Sequence, residues 1–214
     1  MNPIANPFSF QYSLAVLHIA WRRYATGILA LTLAACSPQA EVAEEPPLAG
    51  STIGGEFQLR NSAGETVQFS DFEGQYRIVY FGFAFCPDAC PTDMQRTIQG
   101  LNQFAESDPE AAANVQPIFV SVDPERDTGE VLDQFTSAFS DDLIGLTGSP
   151  EQLAEAALAF GAYFAVPEDK QDGAYLVDHS RTVLLFGPEG QPLAPLPADL
   201  GADAVAEELA KWVI

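Results

Sequence analysis

The pattern of apolar and polar positions predicts strands that alternate with helices. Residues 78–83 and 118–122 are continuous apolar runs, which is typical of strands buried on both faces. Between them, residues 92–105 carry apolar side chains at helical spacing, and Pro91 stands where such a helix would begin. The first half of the chain therefore predicts a strand, a helix and a second strand, as in α/β domains.

Capping and turn residues predict the other elements. Ser149 and Gln152 form a capping box with Pro150 at the first helical position, and Gly161 ends the helix that starts there. The remaining predicted elements are hairpins over residues 57–69 and 182–196, helices over 131–139 and 202–213, and a strand over 143–146. This order predicts a thioredoxin-like three-layer α/β sandwich with a central mixed β-sheet.

The first 49 residues are not expected to belong to this fold. Residues 1–35 contain Arg22 and Arg23 but no acidic residue, and a short apolar run ends in Leu-Ala-Ala-Cys. The run is shorter than the roughly 20 residues that span a bilayer, so we predict a lipoprotein-type signal peptide and a lipid on Cys36. An uncleaved signal anchor is the alternative. Residues 36–49, rich in Pro, Glu and Ala, predict a flexible tether, which leaves residues 50–214 as the domain.

Charge and composition exclude several functions. The chain has 9 Lys and Arg against 30 Asp and Glu, a net charge of −21, and a surface this acidic repels phosphate backbones. Nucleic acid is therefore excluded as a partner. With 3 Cys and 2 His, a scaffold of several disulfides and a large metal cluster are excluded as well. The predicted domain retains Cys86, Cys90 and His179.

The candidate chemistry lies at Cys86 and Cys90, between the central strand and a helix. Backbone N–H groups at a helix start stabilise a thiolate. A structural disulfide is the alternative, but one that closes so short a loop gains little from loop entropy. The spacing is one residue longer than the C-x-x-C of thioredoxin-type enzymes. Two thiolates are good Cu(I) ligands, and His179 would add a third, with Asp178 a candidate to orient it.

The stretches FGFAFCPDACPTDM, VSVDPERDT, LIGLTGSPEQ and YLVDHS resemble the Sco/SenC family of copper-binding assembly factors. The resemblance covers nearly all of residues 50–214 in the same order. It implies a thioredoxin-like fold and copper, as Cu(I) or Cu(II), bound by Cys86, Cys90 and His179. It also implies a client, the cytochrome c oxidase subunit that carries the CuA site. Many family members have a transmembrane helix where this chain has the lipoprotein pattern.

Two functions remain open at this point. One is a copper chaperone that delivers copper to the CuA site or reduces its Cys pair. The other is an extracytoplasmic thiol–disulfide oxidoreductase or a copper and redox homeostasis protein, with Cys86 and Cys90 as its redox-active dithiol. The Cys spacing and His179 favour the chaperone, for which a second copper chaperone or a thiol reductase is a further candidate partner. We expect a lipid anchor on the periplasmic side of a bacterial membrane, inner or outer.

Two further sets of acidic residues have competing interpretations. Asp88, between the two cysteines, either tunes the copper or contacts a partner, or it caps the following helix. Residues 123–127, with sequence DPERD, form either a partner surface or a network of Asp and Arg side chains that stiffens a loop.

Overall fold

A computed structural model describes residues 44–170 and 175–214. The predicted signal peptide and Cys36 lie outside these residues, so their roles stay predictions, as does the part of the tether before residue 44. The chain from Glu45 to Ile214 forms one compact unit. Within it, the Leu48 N–H donates to the Leu193 carbonyl at 2.9 Å, so the unit includes a few residues before Gly50.

A mixed sheet of seven strands forms the centre of the domain, in the spatial order β2-β1-β5-β4-β3-β8-β9. β3 lies parallel to β4 and antiparallel to β8, and all of its residues are buried, which confirms the predicted central strand. A separate two-stranded sheet pairs β6 with β7. The strands are β1 (Gln58–Asn61), β2 (Thr66–Gln68), β3 (Tyr76–Gly82), β4 (Val115–Ser121), β5 (Ile144–Thr147), β6 (Phe164–Ala165), β7 (Asp178–His179), β8 (Val183–Phe186) and β9 (Pro192–Leu196).

Helices flank this sheet. The helix that follows β3 packs against the C-terminal helix so closely that a Cβ on Gly100 would lie 2.6 Å from the Val205 side chain. The α-helices are α1 (Ala89–Ser107), α2 (Pro109–Ala112), α3 (Gly129–Ser137), α4 (Pro150–Ala159) and α5 (Ala202–Trp212), with 3₁₀ turns at Phe69–Phe72 and Ala198–Leu200. The arrangement confirms the predicted thioredoxin-like α/β fold. In the described part of the chain, no helix has both the length and the apolar character needed to cross a bilayer.

The structure confirms the predicted turns and corrects one helix start. The hairpins β1–β2 and β8–β9 are antiparallel, and Ser149 and Gln152 form the expected capping box. Helix α1, however, begins at Ala89, so Cys90 and Pro91 lie in its first turn rather than before it. Proline is tolerated there because the first N–H groups of a helix have no partner inside it.

Candidate metal centre

Three side chains predicted as ligands meet at the end of β3. The ligand atoms of Cys86, Cys90 and His179 all lie within 4.8 Å of one another, and the Cys90 Sγ is 3.2 Å from the His179 Nε2. Both cysteines are free thiols. The fold therefore gathers two sulfur atoms and one imidazole nitrogen around a single point, although 89 residues separate Cys90 from the histidine.

The start of helix α1 shapes the position of the Cys86 sulfur. The Cys86 N–H donates to the Phe83 carbonyl at 3.2 Å, which turns the chain after β3. The Cys90 N–H, in the first helical turn, then donates to the Cys86 Sγ at 3.3 Å. Asp88 occupies the N-cap position, but its side chain makes no capping hydrogen bond. The cap prediction for Asp88 is therefore wrong, and the sulfur faces the positive end of the helix instead.

The two cysteines differ in exposure. Cys90 is fully buried, whereas Cys86 is partly exposed. Burial raises the pKa of the Cys90 thiol well above its usual range, because the thiolate would lose its contact with water. Cys86 is thus the sulfur that another molecule can reach, and a metal ion that binds the pair must displace the proton of Cys90.

His179 is carried by the small two-stranded sheet, where it pairs with Phe164 of β6. Its Nδ1 lies 2.9 Å from the Ser180 carbonyl oxygen. A proton on Nδ1 that donates to this carbonyl leaves the lone pair of Nε2 directed at Cys90. The backbone of Ser180 therefore holds the ring in place, rather than Asp178, the candidate from the sequence.

A network around Arg126 supports the segment that leads to His179. The Arg126 Nε is 2.5 Å from the Asp123 Oδ2, and its Nη1 donates to the Tyr175 carbonyl at 2.8 Å. The guanidinium also lies 3.6 Å above the centre of the Tyr175 ring, whose hydroxyl donates to Asp123 at 2.7 Å. Burial, followed by this hydrogen bond, raises the pKa of Tyr175 to about 12. The contacts confirm a loop-stiffening network at residues 123–127.

Asp127 stabilises the loop that carries Cys86 through hydrogen bonds. Its Oδ2 accepts hydrogen bonds from the Ala84 N–H at 2.7 Å and from the Ser121 hydroxyl at 2.5 Å. We expect Asp127→Ala to lower the free energy of unfolding by about 1–3 kcal/mol, because it leaves two donors without their acceptor. Urea unfolding measures the change. Asp127→Asn keeps an acceptor oxygen and is the matched control, so an equal loss in both variants would contradict this explanation.

Sequence patterns did not identify Gly82, which lies close to the Cys90 sulfur, or the polar residues beside it. A Cβ on Gly82 would lie 2.9 Å from the Cys90 Sγ, so only glycine lets the strand pass this close to the sulfur. Beside it, Tyr80 donates to the buried carboxylate of Asp93, which also pairs with Arg181. The sequence held one indication of this cluster, which is the tyrosine inside the apolar run of β3. A buried tyrosine hydroxyl needs a hydrogen-bond partner.

Comparison with known proteins is consistent with this geometry. A sequence profile described as SCO1/SenC matches residues 45–214. The human mitochondrial protein SCO1 homolog is 36% identical over 139 residues, which cover 65% of this chain and 46% of that protein. Protein SenC of Rhodobacter capsulatus is 41% identical over 141 residues, 66% of this chain and 62% of that protein. The chain spans about half the length of several such relatives.

A solved structure extends the similarity to the fold. The crystal structure of Arabidopsis thaliana ScoI with copper bound aligns with a TM-score of 0.68 and 34% identity, covering 74% of this chain and 96% of that one. The profile match includes the segments that carry Cys86, Cys90 and His179. By sequence and by fold, this chain belongs to the SCO1/SenC family.

Proposed function

We propose that this domain binds one copper ion through Cys86, Cys90 and His179. The observation that carries the proposal is the convergence of their three ligand atoms within 4.8 Å. Two thiolates and one imidazole form a soft ligand set, which suits Cu(I) better than hard cations such as Mg²⁺ or Ca²⁺. The copper-bound structure of the related Arabidopsis protein supports the choice of metal. Cu(II) is the other oxidation state to be tested.

The client that we propose is the CuA site of cytochrome c oxidase, to which the domain delivers copper or whose Cys pair it reduces. This assignment rests on membership of the family. The site's exposure supports delivery, because Cys86 is partly exposed and an incoming thiolate or imidazole can replace it first. Because the proposed site has only three ligands, the ligands of a partner can replace them one at a time.

A thiol–disulfide oxidoreductase is the second candidate, favoured by the unequal exposure of the two cysteines. The Cys86 thiolate would attack a substrate disulfide, forming a mixed disulfide and releasing one substrate thiolate. Cys90 would then attack the Cys86 sulfur, form the Cys86–Cys90 disulfide and release the second substrate thiolate. The Nε2 of His179, 3.2 Å from the Cys90 Sγ, is placed to take the proton of that thiol. Two electrons pass from the domain to the substrate.

For the location we propose the extracytoplasmic side of a bacterial membrane, with a lipid on Cys36. The support is the sequence of residues 1–35, together with the requirement that a protein acting on an exported oxidase domain be exported itself.

We expect the purified reduced domain to bind about one copper ion, because it offers one set of soft ligands.

A deletion strain tests the client. Loss of the gene should reduce oxidase activity in copper-limited medium, and added copper or the intact gene should restore that activity. A gene that encodes Cys86→Ser should not. Normal oxidase activity together with a defect in disulfide or peroxide handling would contradict the chaperone function and support the oxidoreductase.

A further inference from the structure

Arg126 lies between the two parts of the chain that carry the candidate ligands. These parts are the cysteine loop, residues 83–90, and the histidine segment, residues 175–179. On the side of the cysteine loop, the guanidinium carbon of Arg126 is 5.5 Å from the ring centre of Phe83 and 5.3 Å from that of Phe85. A cation within about 6 Å of a ring centre is attracted to the ring, so Arg126 holds this loop from one side.

Closer contacts join Arg126 to the histidine segment. Its guanidinium carbon is 3.6 Å from the ring centre of Tyr175, and its Nη1 donates to the Tyr175 carbonyl at 2.8 Å. Asp123 fixes the guanidinium in this position, because its Oδ2 is 2.5 Å from the Arg126 Nε and its Oδ1 accepts the Tyr175 hydroxyl at 2.7 Å. The three side chains are largely buried, where water competes little with these contacts.

The hold on Tyr175 extends to His179 along the chain. Tyr175 and Val177 are buried, whereas Leu176 and Asp178 are exposed. Every second side chain of the histidine segment therefore faces the interior, and His179 follows in the same phase. Because Tyr175 and Val177 are packed against the domain, the position at which Tyr175 is fixed determines where the imidazole lies.

Phe83 gives a second, shorter connection to the histidine. Its ring stands edge-on to the ring of His179, with the two ring centres 5.7 Å apart. Its carbonyl accepts the Cys86 N–H at 3.2 Å and so shapes the turn before the first cysteine. Arg126 thus contacts both ligand-bearing parts of the chain next to their ligands. Without these contacts, the two parts can shift relative to each other while each keeps its own internal structure.

We propose that Arg126 is a positioning residue that fixes the distance between His179 and the two cysteines, and so raises the affinity of the site for copper. The inference rests on the proposed copper function. A guanidinium is suited to this role because its flat face can stack on a ring while its N–H groups donate within its plane. The ammonium group of lysine carries the same charge but cannot make both contacts at once, which makes Arg126→Lys the informative substitution.

Cu(I) titration against a chromophoric chelator is the first test. We expect Arg126→Lys to bind one copper per domain roughly tenfold more weakly, the lower end of the loss that follows when a group supporting a metal ligand is removed. Arg77→Lys is the matched control. Arg77 is also a buried arginine, 4.7 Å from the ring centre of Phe69 and bonded to the Gly187 carbonyl at 2.9 Å, but it lies near the other end of β3. Its substitution should leave the copper affinity unchanged.

A double-mutant cycle determines whether Arg126 acts through His179. In the His179→Ala background there is no imidazole to position, so adding Arg126→Lys should cause no further loss of affinity. A general effect on the fold would instead weaken copper binding by the same factor in both backgrounds.

Tyr175→Leu enters the same cycle from the other partner, and it decides the question if Arg126→Lys folds poorly. It removes the ring beneath the guanidinium but keeps an apolar side chain at a buried position. We expect it to weaken Cu(I) binding roughly threefold, since one cation–π contact is lost, and to have no effect in the His179→Ala background. Circular dichroism verifies that each variant is folded.

Hydrogen exchange of the metal-free protein provides a measurement that does not involve copper. The Ser180 N–H, next to His179, donates to the Tyr163 carbonyl at 2.8 Å. In Arg126→Lys this amide should exchange about tenfold faster relative to the amides of β3, which report global unfolding. Arg77→Lys should leave that ratio unchanged.

The outcomes distinguish this inference from the proposed function. Wild-type protein that binds no Cu(I) would overturn the copper function, and hydrogen exchange would still decide whether Arg126 holds the histidine segment. If the wild type binds copper and Arg126→Lys matches it in both affinity and exchange, the role of Arg126 alone is overturned. Equal weakening by Arg126→Lys with and without His179 would overturn it too, because Arg126 would then act on the fold and not through the histidine.

Discussion

Replacing Cys86 or Cys90 with Ser is expected to abolish tight Cu(I) binding, from about one bound copper per domain to almost none. A serine hydroxyl is a hard ligand that stays protonated near neutral pH, so it cannot replace a thiolate. Each substitution removes one of the two sulfur atoms of the proposed site. The measurement is the copper content of the reduced protein after passage over a chelating column.

The substitution His179→Ala is expected to affect copper binding less than the serine substitutions do. It leaves both thiolates, which can hold Cu(I) as a two-coordinate ion. We expect the copper to remain but the affinity to fall by at least the roughly 10- to 100-fold that loss of a supporting group gives in metal sites. Circular dichroism controls for folding. Stoichiometric Cu(I) binding by the double variant Cys86→Ser/Cys90→Ser would contradict the proposed site.

Oxidation of the domain is expected to eliminate Cu(I) binding as completely as the serine substitutions do. A Cys86–Cys90 disulfide has no thiolate to offer, and His179 alone is a weak site. The protein is oxidised with glutathione disulfide, freed of the reagent and titrated with Cu(I). Full recovery of binding after treatment with a reductant is the control for damage. An oxidised domain that still held one Cu(I) would contradict the assignment of the cysteines as ligands.

Much of the fold could be predicted because its local patterns agree with its tertiary structure. The apolar run of β3 is buried along its whole length, and the capping box at Ser149 starts α4 as expected. The strands β6 and β7 could not be predicted, since two residues are too few to show a period. The start of α1 was placed three residues late because Pro91, inside the first turn, was taken as its boundary.

The sequence predicted which three side chains converge at the candidate site, but not the residues that surround them. Cys86, Cys90 and His179 stand out because the chain has few residues of either type. Asp93 resembles any acidic residue of an amphipathic helix, and its burial follows only from the contacts with Tyr80 and Arg181. Those partners are 13 and 88 residues away, a separation that no local pattern encodes.

The distance along the chain between Cys90 and His179 links copper to folding. Unfolded, the chain still offers its two neighbouring thiols, but the histidine, 89 residues away, is close to them only in the native structure. A ligand that binds the native state more tightly than the unfolded state stabilises the native state by that difference in affinity. Only the imidazole and the enclosed surroundings of Cys90 contribute to this difference, because the thiols are common to both states. If the domain transfers copper to a partner as we propose, that transfer would also remove part of the donor's own stability.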